Sequence, residues 1–471
     1  MVEEKDLTIM KYIRTYETEE RFLADKDSTS RGSRLKPTLY KYSDVDVESK
    51  ILLETDNPRK HGDSTYIKIY IDSDTEFSFY ISNVLGDTQT TITCSIDWGD
   101  GTVETKTITK DDKGFKLAHN YTTGSYKVEL YGVERGYSIP GDTTNNISYI
   151  SPLHSSVKRI VLGNNVTDIG ESAFNECESL ISVYIPESVT RIEGGVFAYC
   201  SSLTSVYIPE SVTSIGVGVF TYCSSLTSVY IPEGVISIEN YVFDHCSSLT
   251  SIHIPESVNS IETYAFYGCS SLSSVNIPGG VNSIGEAMFM NCSSLTSIDI
   301  SEGVSSIGFG AFYGCSSLTS IHIPESVTSI GTSAFCYCPL LASINIPENV
   351  TSIETYAFYG CSSLTSIDIP ERITNIGEGL FGGCSSLTSV NIPESVTNIG
   401  EEAFNGCSAL ASISSFNTTA PTLSTTDSDN DSEGVFHNLP TNGTLHIKPG
   451  ATGYDAWLSE LPSGWTIVED L

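Results

Sequence analysis

The sequence predicts a solenoid of short β-strands with a smaller all-β unit before it. Three observations carry this reading. Eleven cysteines, from Cys177 to Cys407, recur every 23 residues without a slip. A phenylalanine stands three residues before each, and a leucine three residues after. A fixed period of this size marks stacked supersecondary units, each too small to bury a core alone.

The copy from Leu203 to Cys223 shows how one unit is built. Leu203, Val206 and Ile208 line one short strand, and Ser205 and Tyr207 point outward. Pro209 ends that strand because it has no N–H to give to a ladder, and proline recurs there in nine copies. Val212 and Ile215 form a second apolar pair, closed by Gly216, and Val219-Phe220 leads to Cys223. Each phenylalanine is expected to pack on the one above and the one below. Val157–Gly170 reads as a half copy before the first.

The cysteines read as a column of small buried residues. Zinc needs clustered ligands such as paired C-x-x-C, which the repeat does not supply, so neither a metal nor a cofactor is expected. Cys336 is a local substitution beside Cys338.

The unit I-P-E-S-V-T-S-I-G-x-x-A-F-x-x-C-S-S-L-T-S-V-x resembles the BspA-like (Treponema pallidum type) leucine-rich repeats of surface antigens, over about Val157 to Ile413. The expected fold class is therefore a leucine-rich-repeat solenoid, mainly β with short helical turns, preceded by a small immunoglobulin-like sandwich. The resemblance implies attachment to host matrix proteins, host cells or other microbes, at a cell surface or outside the cell.

Four segments are expected. Residues 1–60 form an N-terminal extension in which Ile9, Tyr12, Ile13 and Tyr16 fall at helical spacing, a candidate anchoring segment. Residues 61–150 alternate as short strands, for example Tyr66–Ile71 and Thr91–Ile96. Asp97-Trp98-Gly99-Asp100-Gly101-Thr102 and the later His119-x-Tyr121-x-x-Gly124-x-Tyr126 look like a PKD-type immunoglobulin-like domain, with Trp98 in its core. Asp97 and His119 could be imagined as a catalytic or metal pair, but hydrogen bonding that holds the fold is the expected role. Residues 151–413 hold the eleven copies. Residues 414–471 are an acidic linker and a cap, in which Thr444–Pro449 copies the repeat strand and Tyr454, Trp457 and Trp465 cover the open end. Asp427-x-Asp429-x-Asp431 imitates a calcium loop but lacks its glycine and its final glutamate.

Charge excludes several partners. Residues 1–60 carry 12 basic and 13 acidic side chains, and the other 411 carry 12 and 45, a net of −33. Between Arg159 and Lys448 only Arg191 and Arg372 are basic. Such a surface repels phosphate backbones, so nucleic acid is not expected. The chain has no run of 18 apolar residues, so membrane insertion is not expected either. The acidic start, Met1–Asp6, does not read as a secretory signal, and Leu439–Gly443 reads as a loop rather than a sorting signal.

The catalytic motifs H-E-x-x-H, G-x-S-x-G and the P-loop do not occur, which points away from an enzyme. The informative positions are those the repeat leaves free. On the first strand the outward residue runs Tyr184, Tyr207, Tyr230, His253, Asn276, Asp299, His322, Asn345, Asp368, Asn391. These side chains should form one row about 45 Å long. Tyr184, Tyr207, Tyr230, His253 and His322 are the candidate ligand-binding residues, for a protein or glycan on a host or microbial surface. The next candidate is an edge formed by Tyr264, Tyr267, Tyr313, Tyr356 and Tyr359. Two other readings compete: a phage virion appendage anchored through residues 1–60, and an intracellular scaffold.

Overall fold

The structure, a computed structural model, describes residues 65–73, 76–81, 91–109, 115–121, 124–133, 137–139, 156–164, 166–424 and 434–471. The chain divides into two compact units, 1–64 and 65–471, and every described residue lies in the second. The expected helix around Ile9–Tyr16 and the acidic Asp427–Asp431 loop lie outside the described residues.

Every copy adds one rung to several parallel ladders. In the first strand of the copy, Ser205–Tyr207 pairs with Ser228–Tyr230 residue for residue, 23 positions apart. The second strand, two residues long, does the same: Arg191–Ile192 pairs with Ser214–Ile215, and Ser306–Ile307 with Ser329–Ile330. The turn side has its own ladder, in which the Phe197 N–H donates to the Val219 carbonyl and the Phe220 N–H to the Val242 carbonyl, both at 2.9 Å. The backbone polar groups of each coil are thus satisfied by its neighbours, as burial requires.

Side chains repeat the pattern. Leu203, Val206, Ile208, Val212, Ile215 and Phe220 are buried, and their equivalents in the other copies form one continuous core. The phenylalanines stack along it as expected, with ring centroids 5.3–5.9 Å apart from Phe174 to Phe404. The column then continues to Phe436 and Trp457 in the C-terminal segment. Outside the core, serine and threonine hydroxyls donate to the carbonyl one copy back, as Ser270 Oγ does to Ser247 O at 3.3 Å and Thr227 Oγ1 to Thr204 O at 3.1 Å.

The result is a mainly-β solenoid of about 13 turns with almost no helix. The segments expected to be short helical turns are tight turns instead. Two positions explain this: the residues two before and two after each phenylalanine have positive φ in all eleven copies, such as Gly218 (φ 62) and Tyr222 (φ 57) around Phe220. A left-handed residue on either side stops a right-handed helix from propagating.

Seven strands precede the repeats among the described residues: β1 (Thr65–Ser73), β2 (Glu76–Ile81), β3 (Thr91–Asp97), β4 (Val103–Thr109), β5 (Phe115–Asn120), β6 (Gly124–Val133) and β7 (Tyr137–Ile139). The half copy supplies β8 (Val157–Leu162) and β9 (Val166–Ile169), and the first full copy begins with β10 (Ser182–Tyr184). One sheet runs β10-β8-β1-β6-β3-β4, with β1 antiparallel to β8 and β8 parallel to β10. On the other side β7 pairs in parallel with β9. The leading strands are therefore joined to the repeat array by main-chain hydrogen bonds on two of its ladders.

At the far end Thr444–Ile447 pairs in parallel with Ser412–Ser415, and Thr466–Glu469 adds a further strand. A short helix, Asp455–Glu460, places Trp457 in the core, where its indole N–H donates to the Pro421 carbonyl at 3.1 Å.

Candidate recognition surface

The strand side of the coil carries the row read from the sequence. Tyr207 and Tyr230 occupy equivalent register positions and their rings stack, 6.1 Å apart and nearly parallel. His253 follows by a parallel bridge to Tyr230, and further bridges join Asn276 to Asp299 and His322 to Asn345. Tyr184 stands at the start, on the edge strand of the large sheet, and is 41% exposed. The first four residues thus stand in consecutive copies, with Tyr207, Tyr230 and His253 joined rung to rung, while His322 lies three copies beyond His253. Beside this row runs a line of glutamates, one after each strand-ending proline except Pro278, which Gly279 follows, and one, Glu302, after Ser301. The Tyr230 hydroxyl donates to Glu210 Oε1 at 2.7 Å, and Glu302 Oε1 lies 3.9 Å from His322 Nε2.

The turn side carries a second aromatic surface. Tyr199 stacks on Tyr222 at 4.9 Å, and Tyr222 on His245 at 4.3 Å, with both pairs nearly parallel. His245 meets Tyr267 at 5.0 Å, Tyr267 meets Tyr264, and Tyr264 stacks on Tyr241 at 5.1 Å. A smaller group of the same kind joins Tyr313, Tyr337, Tyr359 and Tyr356. The edge expected at Tyr264, Tyr267, Tyr313, Tyr356 and Tyr359 therefore forms two clusters, and the sequence reading missed Tyr199, Tyr222, Tyr241, His245 and Tyr337.

The backbone at these rings is unusual. Tyr199, Tyr222, His245 and Tyr337 sit two residues after a phenylalanine, and Tyr241, Tyr264 and Tyr356 two before, all with φ between 55 and 61. Other copies place Gly268, Gly314, Gly360, Gly195 or Gly310 at these positions. Glycine adopts that conformation freely, whereas an L side chain there costs roughly 1–2 kcal/mol. The next glycine also makes room: a Cβ added at Gly360 would come within 2.9 Å of the Tyr337 ring, and one at Gly268 within 3.2 Å of His245.

The repeat cysteines face the core. Each is buried, and each from Cys200 onward donates its S–H to the carbonyl of the phenylalanine 26 residues earlier, for example Cys223 Sγ to Phe197 O at 3.0 Å. Burial pushes the Cys223, Cys361 and Cys407 thiols up to about 12, so at neutral pH they are neither nucleophiles nor ready metal ligands.

Before the repeats, His119 Nε2 lies 2.7 Å from Asp100 Oδ2, not on Asp97, whose carboxylate accepts the Gly99 N–H at 2.9 Å. The hydrogen bond from His119 holds the Asp100 carboxyl down at about 2. His119 stacks on the buried Trp98, and the Tyr121 hydroxyl donates to the Trp98 carbonyl at 2.8 Å. These contacts tie the Asp97–Thr102 turn to β5 and the residue after it. Among the described residues no group of three or more His, Cys, Asp or Glu side chains is placed to hold a metal, and no helix is long and apolar enough to cross a membrane.

Comparison with known proteins agrees with this architecture. A comparison with curated proteins finds no match. Among solved structures, a leucine-rich repeat protein from Bacteroides ovatus is 27% identical, with a TM-score of 0.55 over 67% of this chain and 85% of that one. The Treponema pallidum leucine-rich repeat protein is 34% identical over 34% of this chain and 78% of its own, with a TM-score of 0.33. A leucine-rich cell surface protein from Faecalibacterium prausnitzii is 27% identical over 70% and 92%, with a TM-score of 0.36. The family described as BspA type leucine-rich repeat region matches residues 144–248, 213–342 and 328–424, more than half of the chain. With the 23-residue coil, the phenylalanine column and the parallel ladders in place, the chain belongs to the BspA-type leucine-rich repeat family.

Proposed function

We propose that this protein is a non-enzymatic recognition protein that attaches to a protein or glycan on a cell surface through the strand side of its solenoid. The observation that carries this reading is the row of Tyr184, Tyr207, Tyr230 and His253 in consecutive copies, with the Tyr207 and Tyr230 rings stacked. The core does not require aromatic residues there, since Asn276, Asp299 and Asn345 fill the same position between equally buried neighbours. Tyrosine brings apolar area and a hydroxyl with few torsions to freeze, which suits a contact surface. The neighbouring glutamates disfavour polyanionic ligands. Family membership supports an interaction or adhesion role at a cell surface, and nucleic acid remains a poor fit to the charge.

The test is the triple variant Tyr184→Ser, Tyr207→Ser, Tyr230→Ser. Tyr184 is exposed, whereas Tyr207 and Tyr230 are half-buried in their stack, so the changes should cost about 0.5–1 kcal/mol each and the variant should melt only modestly below the parent. Screened beside the parent on glycan and host-protein arrays, it should lose tenfold or more in affinity for whatever the parent binds, as two or three contacts of about 1 kcal/mol imply. A variant that binds as well as the parent would show that another face makes the contact.

A further inference from the structure

We propose that the turn-side aromatic ledge, from Tyr199 to Tyr267, is a second interaction surface and that it takes a basic protein segment, rich in Lys or Arg. This goes beyond the strand-side reading, because the ledge lies on a different ladder of the coil and calls for a partner of defined charge.

The first argument is the backbone. Four consecutive copies hold Tyr199, Tyr222, Tyr241, His245 and Tyr264 in the left-handed region, at positions where glycine serves elsewhere in the array. Packing alone does not call for this, since the copies with glycine bury their phenylalanine and cysteine just as fully. Unfavourable backbone that persists where a better residue is available points to a role outside stability. The second argument is exposure. Tyr199, Tyr222 and Tyr241 are 46%, 39% and 41% exposed although each stacks on a neighbour. Centroid separations of 4.3–5.1 Å between nearly parallel rings exceed the thickness of a ring, so the rings are offset and part of each face stays open.

The third argument selects the occupant. Carboxylates border the rings: Glu239 and Glu262 stand two residues before Tyr241 and Tyr264, where they accept the Ser237 and Ser260 hydroxyls at 2.8 and 2.6 Å, and Glu286 Oε1 accepts the Tyr264 hydroxyl at 3.1 Å. Asp244 is buried beneath, 2.6 Å from His245 Nδ1. No Lys or Arg occurs from residue 192 to residue 371, so no permanently cationic side chain on this stretch balances that charge. Guanidinium and ammonium groups bind aromatic faces by cation–π attraction and carboxylates by charge-assisted hydrogen bonds, and the ledge offers both within one side chain's reach. A neutral sugar could stack on the rings and donate hydroxyls to the carboxylates, but it would leave their charge unneutralised.

The probe is a fluorescein-labelled peptide that alternates arginine and serine, titrated against the whole chain by anisotropy. The parent should bind it, and affinity should fall at least fivefold between about 50 mM and about 300 mM salt, because exposed charge pairs are screened. Substituting the residue that other copies use, in Tyr199→Gly, Tyr222→Gly, Tyr241→Gly and Tyr264→Gly together, should cut affinity tenfold or more while the melting temperature holds or rises. A second variant that keeps every ring, Glu239→Gln with Glu262→Gln and Glu286→Gln, should lose both affinity and salt dependence. Tyr207→Ser with Tyr230→Ser should leave peptide binding unchanged, which separates this surface from the strand-side row. Peptide binding retained within twofold by the glycine variant or by the glutamine variant overturns the proposal. So does a parent that ignores the peptide, including one that binds neutral oligosaccharides on the ledge with no salt dependence. If the glycine variant melts well below the parent, the rings serve packing and the proposal falls.

Discussion

Raising the pH should destabilise the solenoid well before its thiols can ionise in place, because eleven of them are buried in one column. An ordinary thiol ionises near 9.0, and burial holds Cys361 and Cys407 up at about 12, with Cys384 between them also well above 9.0. Below pH 9 the folded and unfolded chains both keep these protons, and the thiols contribute their full share. Between pH 9 and about 12 only the folded chain keeps them, so stability falls as pH rises. At pH 10 each such thiol has lost about 1.4 kcal/mol, and eleven amount to about 15 kcal/mol, the scale of a whole domain's stability. The triple variant Cys361→Ala, Cys384→Ala, Cys407→Ala removes three of them. It should be less stable than the parent at pH 7.5, since it loses packing and the S–H bonds to Phe335, Phe358 and Phe381. Its further loss between pH 7.5 and pH 10 should be smaller than the parent's by about 4 kcal/mol. Urea midpoints at the two pH values measure this, and a thiol reagent added at pH 7.5 should label the repeat cysteines only once urea is present. Equal pH sensitivity in the two proteins, or fast labelling without urea, would refute the buried-column account.

Two further outcomes test the array. Phe289→Ala, deep in the column between Phe266 and Phe312, should cost about 3–5 kcal/mol by urea denaturation. Trypsin under native conditions should spare Arg191, which is held by Asp168 and Glu193 at 3.2 and 2.6 Å, and also Arg372, so that mass spectrometry finds the solenoid uncut at both sites.

The solenoid was legible because its signals are periodic. A phenylalanine or cysteine that recurs every 23 residues reports stacking without any knowledge of the neighbours, and the outward row from Tyr184 to Asn391 follows from strand alternation alone. The turn side was harder to read. Positive φ announces itself in sequence through glycine, and at these two columns tyrosine, histidine, serine and glutamate conceal it. Aligning the columns supplies the signal: Gly268 and Gly314 stand where Tyr222 and His245 stand in earlier copies. Phe436 escaped notice because the residues after Ile413 break the period, although the column resumes beyond them. The pairing of β1 with β8 depends on contacts some ninety residues apart, which no local pattern encodes. The hydrogen bond from each repeat cysteine after Cys177 to a phenylalanine carbonyl was invisible for a similar reason, since the chemistry of cysteine as a core residue does not reveal its acceptor.

The unbroken 23-residue register has a consequence for how such a chain can change over time. Each copy meets its neighbours through the same surfaces, so deleting or duplicating one whole copy joins faces that already fit. The two ends differ: the leading strands hold one through β1 and β7, and the segment around Trp457 and Trp465 covers the other. The length of the array can therefore vary in whole steps while both ends stay as they are. Each step lengthens or shortens the exposed rows by one residue. The reach of the molecule and the number of contacts it offers become heritable quantities that can shift without a new fold.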